Sequence, residues 1–287
     1  MIMRFFKEYK YELLMISPAV LIIFIFKLIP VIVSFSMSLT KWRIIDTPEF
    51  IGLDNFVQLF TDPNFWNAVW NTLFYGILII PSVLLGSLAV ALILNAISKG
   101  SSFYKAAYYL PMTLPLSIAA VIWRGGFFGT FGFVNNILTK LGFNSIQFFS
   151  VELAKPSISL VYFWWTLGFC SLIYLAGLRG IPQTRLEAAS IDGANTMQKI
   201  IYIIWPSLKP ITLFVALYIT QTTFRIFSAV YAMTGGGPSR SSEPLLYYTY
   251  NWGWQNFRMG YSAAASVILF LMVISVYLFQ SYILRED

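Results

Sequence analysis

Residues 63–98 read PNFWNAVWNTLFYGILIIPSVLLGSLAVALILNAIS, 36 consecutive positions without an Asp, Glu, Lys or Arg. About 20 mostly apolar residues carry a helix across the hydrocarbon layer of a bilayer, so this stretch is long enough to span. The pattern returns on either side: Pro156–Leu178 is uncharged for 23 residues, Met259–Leu284 for 26 and Ala106–Trp123 for 18. None of these runs alternates strictly with polar residues, which argues against a transmembrane barrel. Helices satisfy their own backbone groups and are the default spanning solution. Of the 287 residues, 58% are hydrophobic and only 11% charged, against roughly 25% charged in ordinary soluble domains; the mean hydropathy is +0.71. A soluble globule and a disordered chain are both excluded.

The sequence predicts an all-α integral membrane protein with six spans, near Leu13–Ser38, Ala68–Ile97, Ala106–Trp123, Ser157–Leu178, Leu208–Met233 and Ser262–Leu284. Pro18, Lys27 and Pro30 are expected to interrupt the first, which reads as a retained anchor: its apolar run is too long for a signal peptide and lacks a small-residue cleavage site. Lys and Arg then set the orientation. Ten of them (Arg4, Lys7, Lys10, Lys99, Lys105, Arg179, Arg185, Lys199, Lys209 and Arg285) fall on the side of the termini. Six (Lys41, Arg43, Lys140, Lys155, Arg240 and Arg258) fall on the other. Both termini are therefore expected in the cytoplasm. The outer segments are about 39–67, 124–156 and 234–261. A short segment 1–12, one transmembrane domain over 13–284 and a tail 285–287 complete the expected organisation.

Several chemistries are excluded. The chain has no His and a single cysteine, Cys170, so it lacks the commonest general base, the usual zinc ligand and any internal disulfide. No catalytic or metal-binding residue is expected. The net charge of +7 comes from scattered residues that the membrane topology accounts for, and no nucleic-acid partner is expected. An ion-coupled secondary transporter of a small polar solute is the alternative, but it would need intramembrane carboxylates, and every Asp and Glu reads as loop or terminus. A membrane enzyme would need groups that the chain lacks.

The inner segment 180–206, GIPQTRLEAASIDGANTMQKIIYIIWP, is too ordered for a connector. Thr184 and Glu187 have capping-box spacing and predict a helix start at Thr184. Asp192-Gly193 is a turn signal, and a second helix follows from about Asn195, ending before Pro206. The segment reads either as a helix lying on the membrane surface or as a docking helix. Ala188, Ala189 and Gly193 would allow close approach, and Arg185, Glu187 and Asp192 would offer rim charges.

The run Glu187-Ala188-Ala189, Asp192-Gly193-Ala194 and Trp205-Pro206 resembles the EAA motif of binding-protein-dependent ABC importer permeases, with Trp-Pro where the family has Leu-Pro. Phe50-Ile-Gly-Leu-Asp-Asn-Phe56, Asn71-Thr72, Tyr109-Leu110-Pro111 and Met233-Thr-Gly-Gly-Gly-Pro238 resemble the sugar-type permeases of the maltose and glycerol-3-phosphate group, first-permease type. The resemblance covers nearly the whole chain from about residue 10. It implies a permease subunit in a bacterial or archaeal cell membrane. Its implied partners are a second related permease, two cytoplasmic ATPase subunits, an extracellular solute-binding protein, a carbohydrate and membrane lipids. Residues Arg185, Glu187, Ala188, Ala189, Asp192, Gly193 and Ala194 would then couple to the ATPase. No Gly-Lys-Ser/Thr follows the glycine run, so the chain has no P-loop; ATP and Mg are expected on the partner subunits, and no cofactor on this chain.

Polar groups within spans are costly and so mark candidate pathways, while sugars present CH faces that aromatic rings cover. The candidates are Tyr162, Trp164, Trp165, Gly168 and Ser171 in the fourth span, Tyr218, Gln221, Thr222 and Arg225 in the fifth, and Ser262 and Ser266 in the sixth. The competing readings are lipid contact or an interfacial belt for the aromatics, backbone bonding for the hydroxyls and snorkelling for Arg225. Lys27 reads equally as a functional residue, as the outer end of a shorter helix or as a residue paired with a partner subunit.

Overall fold

Proline stands at both sharp bends of these helices and just after two of their widened turns. The structure, a computed structural model, describes residues 9–97 and 100–284; Arg4, Lys7, Lys99, Arg285 and the tail 285–287 lie outside the described residues. Helix α1 (Lys10–Ser38) is continuous. Pro18, Lys27 and Pro30 do not interrupt it; instead Phe24–Leu28 forms a widened π turn just ahead of Pro30. A proline ring clashes with the carbonyl four residues back, and one wider turn makes room. The same device, Ile200–Ile204, precedes Pro206.

After a two-stranded ribbon, β1 (Thr40–Lys41) and β2 (Glu49–Phe50), come the short helix α2 (Asp54–Thr61) and the long α3 (Pro63–Ala96). Next stand α4 (Ser101–Thr113), α5 (Leu116–Phe127), α6 (Phe133–Lys140) and α7 (Ala154–Arg179). The inner segment holds α8 (Gln183–Ile191) and α9 (Thr196–Ser207), leading into α10 (Lys209–Phe224). The chain closes with α11 (Ser228–Met233), α12 (Leu245–Tyr250, extended by a π turn over Asn251–Gln255) and α13 (Met259–Leu284).

Two of the expected straight spans are broken. The third bends by 95° between α4 and α5. Pro115 cannot continue α4, and Leu114 before it takes the extended backbone that a following proline favours (φ −82°, ψ 138°). The fifth bends by 69° where α9 meets α10, and the second helix of the inner segment runs through Pro206 to Ser207 instead of stopping before it. The expected continuation to Met233 also fails: α10 ends at Phe224, and α11 is a separate piece. Among the described residues, α1, α3, α7 and α13 are each long and apolar enough to cross a membrane; counting each bent pair as one span gives six.

The described residues form two compact units. The first comprises the chain up to Asp62 with Thr249–Ile268; the second comprises Pro63–Tyr248 with the chain from Leu269. In the first, the Asn55 amide donates to the Ser38 and Thr40 carbonyls, both at 2.9 Å, and so ties α2 back to the end of α1. In the second, α3 packs along α7 and α10, with Tyr75, Ile79, Val83, Ile158, Val161, Tyr174, Val215 and Ile219 in the core.

A polar latch secures the segment after α11. The Asn71 amide donates to the carbonyls of Arg240 (3.1 Å) and Glu243 (3.0 Å), while its oxygen accepts from Lys155 Nζ at 2.8 Å. The Leu245 amide donates to Thr72 Oγ1 at 2.8 Å, and the Tyr75 hydroxyl donates to the Ser242 carbonyl at 3.1 Å. Asn71-Thr72 and the segment 240–245 just after the Gly235–Pro238 turn, far apart in sequence, therefore meet in one structural element.

Candidate functional site: the inner helical knob and the polar cluster of α7 and α10

Helix α8 has no buried residue. An isolated helix of nine residues is marginal in water, so its ends must be fixed. Pro182 occupies the N-cap position, and no side chain caps it; Thr184 lies inside the first turn, so the expected Thr184–Glu187 box does not form. The reciprocal box belongs to the next helix: the Asn195 side chain accepts from the Gln198 amide at 2.9 Å, and the Asn195 amide donates to Gln198 Oε1 at 2.8 Å. The C-terminus of α8 closes as a Schellman motif, with the Ala194 amide on the Ala189 carbonyl (2.9 Å) and the Gly193 amide on the Ser190 carbonyl (3.2 Å). Gly193 has φ +82°, and nothing lies within 4 Å of where its Cβ would stand. It is glycine for the backbone turn and not for lack of room.

The result is a rigid, exposed knob. Arg185, Glu187, Ala188, Asp192 and Gly193 are exposed, while Ala189 and Ala194 are half-buried. Ile191, 87% exposed at the tip, was not singled out in the sequence; its place at the last position of α8 next to the turn was the available signal. Behind the knob, a cavity of about 360 Å³ runs between α3, α8 and α9, lined by Leu92, Leu186, Glu187, Ser190, Lys199 and Ile204 among others. Lys199 Nζ donates to Ser190 Oγ at 2.7 Å across it.

The intramembrane candidates divide. Tyr162 is 2% exposed, and its hydroxyl faces Thr222, with Tyr218 and the Arg225 charge close by. The Arg225 charge also lies within electrostatic reach of Tyr277 of α13, a residue not singled out in the sequence because a lone Tyr in an apolar run gives no signal. Arg225 is the C-cap just past the end of α10 at Phe224, one turn on from the exposed Gln221, and not part of a continuing helix. Tyr218 packs on Phe169 (4.9 Å between ring centres), Trp164 on Trp123 (5.3 Å), and Trp165 Nε1 donates to the Leu114 carbonyl at 2.9 Å, pinning the break between α4 and α5.

Others serve packing. A Cβ on Gly168 would stand 1.8 Å from the Tyr108 carbonyl oxygen, so this glycine lets α4 lie directly on α7. The Ser171 hydroxyl donates to the Leu167 carbonyl of its own helix. Ser262 and Ser266 belong to the other compact unit, bonded to the Thr249 and Ser262 carbonyls. Lys27 is exposed within the widened turn of α1. Among the described residues no three His, Cys, Asp or Glu side chains gather as a metal site.

A bundle of bent and straight membrane helices with a capped helical knob between two spans is the architecture of a transporter's membrane subunit. The chain belongs to the family described as binding-protein-dependent transport system inner membrane component, whose model matches residues 64–286. It is a permease, a transport subunit and not an enzyme. It is 36% identical over 248 residues to the sulfoquinovosyl glycerol transport system permease protein SmoG of Agrobacterium fabrum, covering 85% of this chain and 80% of that protein. It is 32% identical over 233 residues to the sn-glycerol-3-phosphate transport system permease protein UgpA of Yersinia pestis, covering 81% and 79%. Its fold superimposes with a TM-score of 0.85 on a chain of the crystal structure of a bacterial alginate ABC transporter in complex with alginate pentasaccharide-bound periplasmic protein, at 24% identity and 98% and 97% coverage.

Proposed function

We propose that this chain is one of two membrane subunits of an ATP-driven importer that takes up a carbohydrate or sugar derivative delivered by an extracellular solute-binding protein. The named relatives support the solute class, since one is named for transport of sulfoquinovosyl glycerol and another for sn-glycerol-3-phosphate. Tyr162, Tyr218, Thr222, Gln221 and Arg225, with Trp164 and Trp165 beside them, are the proposed contacts for the solute. In this reading both termini face the cytoplasm, and α8 with its glycine corner seats in an ATPase subunit that carries ATP and Mg. Closure of the two ATPase subunits moves the knobs, and the spans rock between inward-open and outward-open arrangements.

The observation that carries the reading is the knob itself: a helix with no buried residue, fixed by a proline start and a Schellman end. Its test is reconstitution of the assembled transporter with Gly193→Trp or Glu187→Lys. Either substitution is expected to lower solute uptake at least about tenfold per ATP hydrolysed, without lowering the yield of folded permease. Full coupling in both variants would refute the docking role.

A further inference from the structure

The first compact unit contains a cavity of about 160 Å³ with Lys41, Arg43 and Arg258 in its wall, together with Trp42, Gln58 and Tyr261. Lys41 and Arg43 follow the end of α1 at Ser38, and Arg258 immediately precedes α13. The two strands of chain are forced together: the Gly260 amide donates to the Trp42 carbonyl at 3.3 Å, and a Cβ on Gly260 would stand 1.8 Å from the Thr40 oxygen. This places Arg43 and Arg258 opposite each other in an isolated antiparallel bridge, a pairing of like charges that is destabilising by itself.

Arg258 is held in place in advance. Its guanidinium lies over the Tyr261 ring at 4.6 Å and the Trp252 ring at 5.3 Å, and Nη2 donates to Gln58 Oε1 at 2.6 Å. Phe257 before it takes φ +56°, a conformation that side chains bearing a Cβ rarely adopt and that collects at functional positions. Glu49 pairs with Lys41 in the ribbon register, and Asp62 accepts from the Tyr261 hydroxyl at 3.4 Å. Yet among the described residues no carboxylate oxygen lies within 4.0 Å of Lys41, Arg43 or Arg258.

Size, level and rim specify the occupant. Small-molecule pockets run from about 300 Å³ upward, so this cavity takes one oxoanion group and not a sugar. It sits where two membrane helices end, the depth at which Trp and Tyr rings and phospholipid headgroups meet. Around it Ile45 is 94% exposed, and Phe50, Leu53, Trp254 and Phe257 are exposed too. An acidic surface of a partner protein would match the cations, but it leaves these apolar side chains unexplained; a lipid covers both.

We propose that this cavity binds the phosphate of an anionic phospholipid, with Arg258 as the preset anchor and Lys41 and Arg43 completing the charge. The site is independent of which solute the permease passes. The assembled transporter, purified in detergent, is titrated with phosphatidylglycerol and with phosphate-free diacylglycerol, and retained lipid is counted by native mass spectrometry. Wild type is expected to retain phosphatidylglycerol over diacylglycerol, with Arg43→Gln and Lys41→Gln each weakening retention about fivefold. Excess inorganic phosphate is expected to leave the lipid in place. Arg43 and Lys41 are exposed, so these variants test the charge without removing the Arg258 stack. Equal retention by the variants and wild type would overturn the proposal. So would displacement of the lipid by inorganic phosphate, which would make this a free-ion site. Unchanged lipid with weakened attachment of the solute-binding protein would also overturn it, assigning the cavity to a protein carboxylate.

Discussion

At Gly168 the backbones of α4 and α7 meet with no space for a methyl group. Gly168→Ala is therefore expected to push the helices apart and destabilise the permease by roughly 1–3 kcal/mol. Ser171→Ala, one turn on, removes a buried hydroxyl bonded to its own helix and is expected to change stability by about 1 kcal/mol or less. Thermal unfolding of the purified complex reads both. The sequence showed Gly168 among aromatic and polar neighbours, which suggested a pathway; the approach of Tyr108 was invisible because it depends on a helix 60 residues earlier in the chain. Glu243 was similarly opaque. It reads as an outer-loop carboxylate, yet it is 2% exposed, 3.7 Å from Arg240 Nε, with its carbonyl held by Asn71.

Among elements, the latch between α3 and the 236–245 segment concentrates several long-range hydrogen bonds on one side chain. Asn71→Ala would remove its bonds to the Glu243 carbonyl and to Lys155 Nζ, while the Arg240 carbonyl keeps the Asn67 amide at 2.8 Å. At about 0.5–1.5 kcal/mol for each hydrogen bond lost, amide hydrogen exchange across 240–245 is expected to rise at least about tenfold, while exchange in the core of α7 stays unchanged. The existence of the helices was legible because a charge-free run of sufficient length has few other solutions in water or lipid. Their breaks were not, because hydropathy sums apolar side chains and carries no direction. Pro115 and the Leu208 elbow change the path of the chain without changing its composition. The start of α8 was misplaced for a related reason: Thr184 and Glu187 have the right spacing, but Pro182 had already begun the helix.

For the molecule as a whole, sidedness is the property on which the transport reading stands. The native Cys170 is fully buried, so the unmodified chain gives little background with thiol reagents. A cysteine at the exposed Thr184 position is expected to react with a membrane-impermeant maleimide only after the inner face is opened. One at the exposed Ser145 position should react in sealed cells or right-side-out vesicles; the reverse pattern would remove the basis for docking to an ATPase. The elbow of 69° between α9 and α10 has a mechanical corollary. Thrust applied along α9 reaches α10 mostly crosswise, so it tips that rod about its seat instead of driving it up and down like a piston. Tilting shortens the apolar length that the rod projects across the oil without pushing its polar ends through it, so the stroke changes hydrophobic mismatch by only about a fraction of a kcal/mol per Å.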